Sequence, residues 1–537
     1  MIDLTSFKGE IPKVSDRLLP TGYAAEAKNC DLDGGNLQAM KGTTFIQDVA
    51  AGTQTIFKMA SSFLAWGSVV DVVRSLVADS GNRMLFSGAG YPKETNEALA
   101  LASPPFPTYT RRLGIPAPTN ALTVTLTGSA GSEVACSSSY VYTIAGKWED
   151  GSEVESAPSP PTGVFEIYEG VTPTLTGFVD SSAEGVFTTH FRIYRLNAGN
   201  TGAEYQYVDE IYVTESRFDD LVDANDLAEV VPSTYWTSPD EALEGLTATS
   251  HGLVFGFKGN TIYPSDVFTT YAYPDAYSLV TESDIVGLGY TGSLVAVLTK
   301  TVPYMLLGQD PATLSLQRLG YQQPCVSARS VANIPGGLIY ASADGLFRIN
   351  EAGEGALLTV NLFTKKQWKA LGPENLIGVY YDQSYYGFVT GSTTGFRLDL
   401  VSGDYRVFEL AAPVYGVHYS PEADALYLIV EMAAGRKVVA WGNGPIMDYT
   451  WASGEISFSA QKIFTAGMVQ GDFSVGDATM MFYVDGLLVH SKSLESDNIF
   501  RIPPVRGNVF QVKLEGKATI HRVLFGESVA QIVREVN

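Results

Sequence analysis

Pairs of short apolar segments recur along the second half of the chain at intervals of about 40 to 49 residues, the length of one four-stranded blade of a β-propeller. The first segments of these pairs cover residues 253–255, 294–297, 337–340, 386–389 and 426–429. The second segments follow after polar turns and cover residues 261–263, 303–306, 345–349, 395–398 and 438–441. Residues 63–66 and 83–86 suit a further blade. The spacing favours an irregular β-propeller over a β-sandwich with evenly spaced hairpins.

Strand signals dominate the rest of the chain as well. Leu122, Val124 and Leu126 alternate with threonines, which places one face of a strand in a core and the other in water. Asp485-Gly486 separates two apolar runs and predicts a tight hairpin. Helices are predicted only over residues 23–29 and 528–535. The fold class is therefore all-β.

Composition divides the chain into four parts. Two proline-dense stretches, 103–107 and 114–118, predict a linker because proline cannot donate a ladder hydrogen bond. A second boundary lies near 231–239, and the short strands between them predict an inserted immunoglobulin- or fibronectin-like sandwich with central strands at 140–143 and 191–195. The predicted domains are 1–113 (N-terminal segment and first propeller blade or blades), 114–236 (inserted sandwich), 237–452 (remaining blades) and 453–537 (C-terminal β-sandwich).

The charge of the chain restricts its partners. The 537 residues carry 35 Lys+Arg against 58 Asp+Glu, a formal net charge of −23. Tight binding of nucleic acid needs a basic patch, and the only adjacent basic pairs are at 111–112, 365–366 and 436–437. An acidic wall along which DNA slides fits this charge, and so does simple solubility.

The sequence indicates no membrane span, signal peptide or disulfide framework. No run of about 18 apolar residues indicates a membrane span, and the start of the chain shows no signal peptide. Cys30, Cys136 and Cys325 are far apart, which is typical of reduced thiols in a protein made in a reducing cytoplasm.

The motif search indicates neither an enzyme nor a cofactor. Residues 287–292 have the spelling of a dinucleotide fingerprint, but a β run follows where a helix is required, so we predict a glycine-rich hairpin between blades. No Gly-x-Ser-x-Gly elbow occurs. The histidines are scattered and show no metal-ligand spacing: His190, His251, His418, His490 and His521.

Two clusters of acidic residues are candidate cation sites. Residues 31–35 begin like a calcium loop, but Gly42 stands where the closing glutamate belongs. The second cluster, at the end of the insert, comprises Asp219, Asp220, Asp223 and Asp226. We expect a solvated loop there, with bound calcium as the open alternative. Asp344 and Gly345 are expected to form a blade turn and not a functional centre.

Short motifs along most of the chain have counterparts in one family. They lie near the start (residues 9–12, 18–20 and 33–42), in the second half (324–330 and 337–346) and in the insert (140–143, 155–159 and 192–195). In these motifs the chain resembles the tail nozzle, or tail tube terminal protein, family of short-tailed bacteriophages (podoviruses). The resemblance implies an irregular propeller with appended sandwiches.

The same resemblance implies a structural role in the virion tail. It implies a hexamer, a sixfold ring below the portal and the tail adaptor, with tail fibres outside and genome DNA passing through during ejection without specific binding. The chain would be made in the host cytoplasm, with no membrane span and no enzymatic activity. Two alternatives stay open: a head-completion plug that retains packaged DNA, and a receptor-binding or glycan-cleaving propeller.

Overall fold

The computed structural model describes residues 1–77, 81–131, 136–199, 202–474 and 476–536. The strands up to the insert are β1 (Ile2–Leu4), β2 (Ala24–Lys28), β3 (Cys30–Asp31), β4 (Gln38–Ala39), β5 (Lys41–Asp48), β6 (Thr55–Met59), β7 (Ser62–Trp66), β8 (Asp71–Arg74), β9 (Met84–Ser87), β10 (Lys93–Thr95) and β11 (Arg111–Arg112). The insert contains β12 (Thr123–Gly128), β13 (Cys136–Ser138), β14 (Tyr140–Lys147), β15 (Glu153–Glu155), β16 (Phe165–Ile167), β17 (Val171–Thr176), β18 (His190–Gly199), β19 (Gly202–Tyr212) and β20 (Arg217–Asp219).

The second half of the chain continues in the same way. Its first strands are β21 (Glu244–Ala248), β22 (Val254–Lys258), β23 (Thr261–Pro264), β24 (Leu279–Val280), β25 (Ile285–Tyr290), β26 (Val295–Thr299), β27 (Tyr304–Leu307), β28 (Ser315–Arg318), β29 (Ala332–Ile334), β30 (Gly337–Ala341), β31 (Leu346–Asn350), β32 (Gly355–Leu357), β33 (Leu376–Tyr381), β34 (Ser384–Val389), β35 (Thr394–Asp399) and β36 (Tyr405–Glu409). The last strands are β37 (Val414–Ser420), β38 (Ala425–Met432), β39 (Gly435–Ile446), β40 (Tyr449–Ser453), β41 (Ile456–Ile463), β42 (Ala466–Asp472), β43 (Ala478–Val484), β44 (Leu487–Leu494), β45 (Phe500–Arg501), β46 (Arg506–Gly516) and β47 (Thr519–Gly526). The described helices are α1 (Glu97–Ala100), α2 (Lys365–Ala370) and α3 (Val529–Val536).

Seven blades of a propeller are formed by the described residues. Blade 1 is the hairpin β6–β7, and blades 2 to 5 are the four-stranded meanders β8–β11, β21–β24, β25–β28 and β29–β32. Blade 6 is β33–β36. Blade 7 contains β37, β38 and β39 and takes its outermost strand, β5, from the N-terminal part of the chain. This last pairing closes the ring non-covalently.

The ring is closed because every pair of neighbouring blades encloses its own apolar core. Separate clusters of buried side chains lie between blades 1 and 2, 2 and 3, 3 and 4, 4 and 5, 5 and 6, 6 and 7, and 7 and 1. Between blades 1 and 2, the rings of Trp66 and Phe86 are 5.3 Å apart. Burial of these side chains is the main force that holds the blades together.

The five predicted segment pairs are confirmed as strand pairs of the propeller. They are the second and third strands of blades 3 to 7, joined in antiparallel register. The continuous apolar run within each segment buries one face against the blade before and the other against the blade after. The all-β, propeller-type fold class is therefore confirmed.

Two predictions near blade 1 are wrong. Residues 63–66 and 83–86 do not share a blade, because β7 and β9 belong to adjacent blades that pack face to face. The proline-dense stretch 103–107 is not a linker. It covers the open edge of β7, where the Ala65 amide donates to the Phe106 carbonyl at 3.0 Å, and the chain then enters β11. The prolines protect an edge strand that has no further partner strand in its blade.

The insert is a two-sheet sandwich between blades 2 and 3. One sheet has the order β15-β14-β18-β19 and the other β12-β17-β20, with β13–β16 as an additional strand pair. Residues 140–143 and 191–195 are paired central strands, as predicted. The core between the sheets includes Tyr142, Phe191 and Leu175. This four-on-three arrangement is that of an immunoglobulin-like sandwich.

The C-terminal sandwich recruits the start of the chain. One sheet has the order β1-β47-β42-β45, and the facing sheet runs from blade 6 through β2 to β40, β46, β43 and β44, with β41 paired to β46. An aromatic core that includes Phe464, Phe482, Phe510 and Phe525 fills the space between them. The N-terminal strands thus tie the propeller to the sandwich.

The two helix predictions have opposite outcomes. The C-terminal helix is confirmed as α3. The helix predicted over residues 23–29 is wrong, since Ala24–Lys28 is a strand between β36 and β40. Alanine-rich sequence favours a helix locally, but pairing on both edges overrides that preference. The Asp485-Gly486 hairpin between β43 and β44 is confirmed, with φ of 47° and 80° at its two turn residues.

Candidate functional site

Three charged residues of the described chain lie at one end of the propeller axis: Asp71, Glu244 and Arg329. The innermost strands of the blades run in the same direction along the axis, so their first residues meet at one end. Asp71 begins β8 and Glu244 begins β21, the innermost strands of two neighbouring blades. Arg329 lies in the turn just before β29, on the far side of the axis.

Arg329 closes this end of the axis. Its guanidinium donates to the Gln54 carbonyl at 3.1 Å and to the Tyr415 carbonyl at 2.9 Å. Gln54 precedes blade 1 and Tyr415 lies in blade 7, whereas Arg329 precedes blade 5. The side chain therefore bridges blades across the axis. Burial and the neighbouring charge of Arg436 lower its pKa to about 10, so it stays cationic at neutral pH.

The pKa of the Asp71 carboxyl group is raised toward neutral pH. Asp71 is an exposed residue, but surrounding protein desolvates its carboxylate and raises its pKa to about 6, against the opposing effects of a hydrogen bond from the Gly245 amide and the charge of Arg329. The charge of Glu244 raises the pKa further. Two neighbouring carboxyl groups, one with its pKa raised to about 6, are the residue types that a glycosidase pair uses.

The carboxylates of the N-terminal acidic loop contact two arginines of blade 6. Asp31 and Asp33 contact Arg406 of blade 6, at 3.1 and 2.6 Å, and Asp33 also contacts Arg397 at 3.0 Å. The side chain of Arg406 is 1% exposed. Partial burial alone would raise the pKa of Asp33, but the hydrogen bonds and charges of the two arginines outweigh burial and lower the pKa. This set of four side chains, the N-terminal joint, fastens the start of the chain to the propeller.

A second joint fixes the insert to blade 2. The guanidinium groups of Arg83 and Arg111 lie over the Trp148 ring of the insert, at 4.4 and 4.0 Å from its centre. Arg83 also pairs with Asp150 at 3.0 Å. Nearby, burial raises the pKa of Glu94 to about 7, although the two arginines act to lower it. Cation–π contacts of desolvated arginines are worth about 2 kcal/mol or more each, so these contacts and the Arg83–Asp150 pair attach the insert to blade 2.

The acidic cluster of the insert does not converge on one point. Asp220 is buried and pairs with Arg195 at 2.6 Å, while Asp219 pairs with Arg217 at 2.9 Å. Asp223 accepts from the Asn225 amide within a short turn, and Asp226 is exposed. Within the described ranges no group of three or more His, Cys, Asp or Glu side chains is arranged for a metal ion. Asp220 serves as the partner of a buried arginine.

The remaining sequence motifs have structural roles. Residues 287–290 lie in β25, and the glycine-rich hairpin joins β25 to β26 inside blade 4 rather than joining two blades. A Cβ on Gly289 would lie 2.9 Å from the Leu338 side chain, so the close packing of blades 4 and 5 favours glycine there. Asp344 pairs with Lys365 at 2.7 Å, and the Gly345 carbonyl accepts from the Ser342 amide in the turn between β30 and β31.

Among the described histidines, His418 makes a structural contact. It is half-buried in β37, and its Nε2 accepts from the Lys58 amide at 3.1 Å. Burial lowers the pKa of His418 to about 4, so it is neutral at pH 7. In the part of the chain that the structure describes, no helix has the length and apolarity needed to cross a bilayer.

Comparison with known proteins adds the following. No family model matches the chain, and no curated protein matches it. Among solved structures it is similar to the WD40 domain of Neurospora crassa Pan2 (11% identity, TM-score 0.27, covering 52% of this chain and 86% of that chain). It is also similar to the calcium-binding protein regucalcin of Agrobacterium tumefaciens (10% identity, TM-score 0.25, covering 47% and 88%).

A third similarity is to Saccharomyces cerevisiae Sqt1, with 7% identity, a TM-score of 0.31 and coverage of 75% of this chain and 100% of that chain. Similarities at these scores carry no argument about function. The propeller is established by its strand pairing and its seven interblade cores.

Sequence reasoning did not identify the axial residues or the N-terminal joint. Arg329 stands in the motif region 324–330, but nothing in its neighbourhood signals that it spans the axis. Asp31 and Arg406 are 375 positions apart. Their pairing depends on the closed ring, which no local pattern specifies.

Proposed function

We propose that the protein is a structural subunit of a bacteriophage tail, the nozzle that forms the distal DNA-exit channel below the portal and the adaptor. One observation carries the proposal. The N-terminal motif in which the chain resembles the nozzle family is the segment that fastens the propeller to the C-terminal sandwich. Asp33, within that motif, contacts Arg406 and Arg397 of blade 6.

Gly9, also in the motif, supports the same role. A Cβ at this position would lie 2.2 Å from the Tyr405 carbonyl oxygen. The chain passes against blade 6 so closely that only glycine fits. The motif therefore has a role in packing. A structural wall protein requires such packing, whereas a catalytic role for the motif would not account for the close contact at Gly9.

Because the propeller axis is closed, we propose that the DNA channel lies between copies of the chain. A single guanidinium, that of Arg329, bridges the axis, so duplex DNA has no path through one subunit. A ring of subunits provides a lumen of its own. Six copies together carry 6 × −23 = −138 formal charges, and an acidic lumen repels phosphates and lets DNA slide without binding.

Electron microscopy of intact tails tests the proposal. We expect a sixfold ring of this chain at the distal end of the tail, with density for the inserted sandwich on its outer wall, where tail fibres dock. A ring directly beneath the portal that closes the channel would assign the head-completion plug instead. A monomeric particle in the virion would refute both.

A glycan-cleaving propeller is the second candidate, and the pair Asp71 and Glu244 at the axial end favours it. Incubation of the protein with host surface polysaccharide distinguishes the two. The nozzle proposal expects no shortening of the polysaccharide by the wild-type protein. Shortening that is lost in an Asp71→Asn variant, but kept in a variant of an unrelated exposed acid such as Asp226→Asn, would support the enzyme and contradict the nozzle as the sole function.

A further inference from the structure

A groove between blades 5 and 6 is open at the face of the propeller opposite to Arg329. It has a volume of about 390 Å³. The turns that follow β29, β33 and β35 surround it. Its lining is both apolar and polar and includes Ile334, Leu358, Leu400, Val401 and Arg348. Val401, at the rim, is 79% exposed, so the groove presents an apolar surface to solvent.

Arg348 gives the groove a positive charge, and among the described residues no acidic side chain forms an ion pair with it. Its Nε atom is buried and has no hydrogen-bond partner among the described residues. Arg348 lines the groove, and the planar guanidinium of an arginine is suited to pairing with a carboxylate. The groove therefore fits a ligand that places a carboxylate beside aliphatic side chains.

The hairpin tip between β43 and β44 has this composition. Its sequence is Asp485-Gly486-Leu487-Leu488, and both turn residues adopt positive φ. Leu487 is 73% and Leu488 53% exposed. Asp485 is exposed, and its Oδ1 accepts from the amides of Asn508 and Val509, which holds the tip in shape. Among the described residues neither Asp485 nor Arg348 forms an ion pair.

The strand that carries the leucines is itself an edge. Among the described strands, β44 pairs with β43 alone and ends the sheet of the C-terminal sandwich. Exposed edges with large apolar residues are association sites, which proteins that remain monomeric usually protect. The tip and the groove are both exposed in one chain, so they do not contact each other and are free for another copy.

We propose that the hairpin tip of one copy docks into the groove between blades 5 and 6 of the next copy, with Leu487 and Leu488 against the apolar wall and Asp485 facing Arg348. The contact joins two different surfaces and is therefore head-to-tail, the kind that closes into a ring. This inference rests on the proposed ring-forming function and names the contact that forms the ring.

Crosslinking between copies tests the contact directly. Exposed Cys136 is first replaced by serine, since Cys30 and Cys325 are buried. Two variants, Leu487→Cys and Val401→Cys, are then purified separately, mixed and treated with a short bis-maleimide. We expect a covalent dimer from the mixture and much less from either variant alone. The matched control pairs Leu487→Cys with Val280→Cys, since Val280 is an exposed valine of blade 3, and should give no dimer above background.

Charge variants provide an independent measurement. Arg348→Met and Asp485→Asn each remove one charge, and the asparagine retains the side-chain oxygen that holds the turn. We expect each to weaken self-association about tenfold by sedimentation velocity, and the double variant to be little weaker than either single variant.

The outcomes separate this inference from the proposed function. A ring in the tail without crosslinking above the control would overturn the contact and leave the nozzle standing. Crosslinking in a protein that forms no ring in the virion would support the contact and refute the nozzle. If the tail shows no ring and the variants give no crosslink above the control, both the contact and the nozzle are refuted.

Discussion

Replacing Arg406 by methionine should loosen the start of the chain from the propeller. Arg406 is 1% exposed and contacts Asp31 at 3.1 Å and Asp33 at 2.6 Å. Methionine keeps much of the apolar stem but leaves two carboxylates without their main counter-charge. Removing one partner of a fully buried pair costs about 3–5 kcal/mol.

The expected cost is smaller here because the carboxylates keep some water. The side chains of Asp31 and Asp33 are 38% and 46% exposed, and Arg397 remains near Asp33. Allowing for this screening gives about 2–3 kcal/mol. A chain with several domains does not unfold in two states, so the effect is best measured locally.

Hydrogen exchange of peptides that cover residues 24–39 provides the measurement. A loss of 2–3 kcal/mol in local opening corresponds to about 30- to 150-fold less protection. The matched control is Arg217→Ala, which removes an exposed pair with Asp219 and should change protection by less than about twofold. Equal effects of the two variants would refute the account of the N-terminal joint.

The joint should also respond to acid with a definite sign. The pKa of Asp33 is lowered in the folded chain, so its stabilising contribution is present above the unfolded value of about 4 and is lost as pH falls through the folded value. Protection of residues 24–39 in the wild type should fall below about pH 4, and the Arg406→Met variant should show a weaker dependence.

Three further predictions follow from buried groups. Trp148→Ala should free the insert, with a loss of about 3–5 kcal/mol of packing and new proteolytic cleavage near residues 114–122; intact chains under the same digestion would contradict it. His418 has a pKa lowered to about 4, below an unfolded value of about 6.5, so stability should fall as pH drops through this window, and a thermal-melt series in which His418→Gln changes nothing would contradict it. Gly9→Ala should lower the melting temperature by several degrees, because its Cβ would overlap the Tyr405 carbonyl at 2.2 Å; an unchanged melting temperature would contradict it.

The blade strands were predictable because their signals are local. Residues 426–429 and 438–441 carry continuous apolar runs with a polar turn between them, and Asp485-Gly486 requires no knowledge of the rest of the fold. The second and third strands of a blade are neighbours in sequence, so one hairpin can be recognised by itself. The same holds for the paired central strands of the insert.

The missed features depend on contacts between distant residues. Ala24–Lys28 is a strand only because β36 and β40 lie on both sides of it, and Phe106 covers Ala65 only after blade 1 has formed. Nothing in the neighbouring sequence distinguishes the roles of Arg329 and Arg348. In the fold, Arg329 bridges the axis and Arg348 lines a groove. Such roles follow from ring closure and not from local propensity.

A reconstruction of the assembled tail that resolves individual strands shows whether the DNA channel lies between copies of the chain. We expect six copies of a closed seven-bladed propeller arranged as a wall, Arg329 bridging each propeller axis, and DNA density only in the lumen between the copies. DNA density running through a propeller axis, or a bound glycan beside Asp71 in a chain that stands alone, would contradict it.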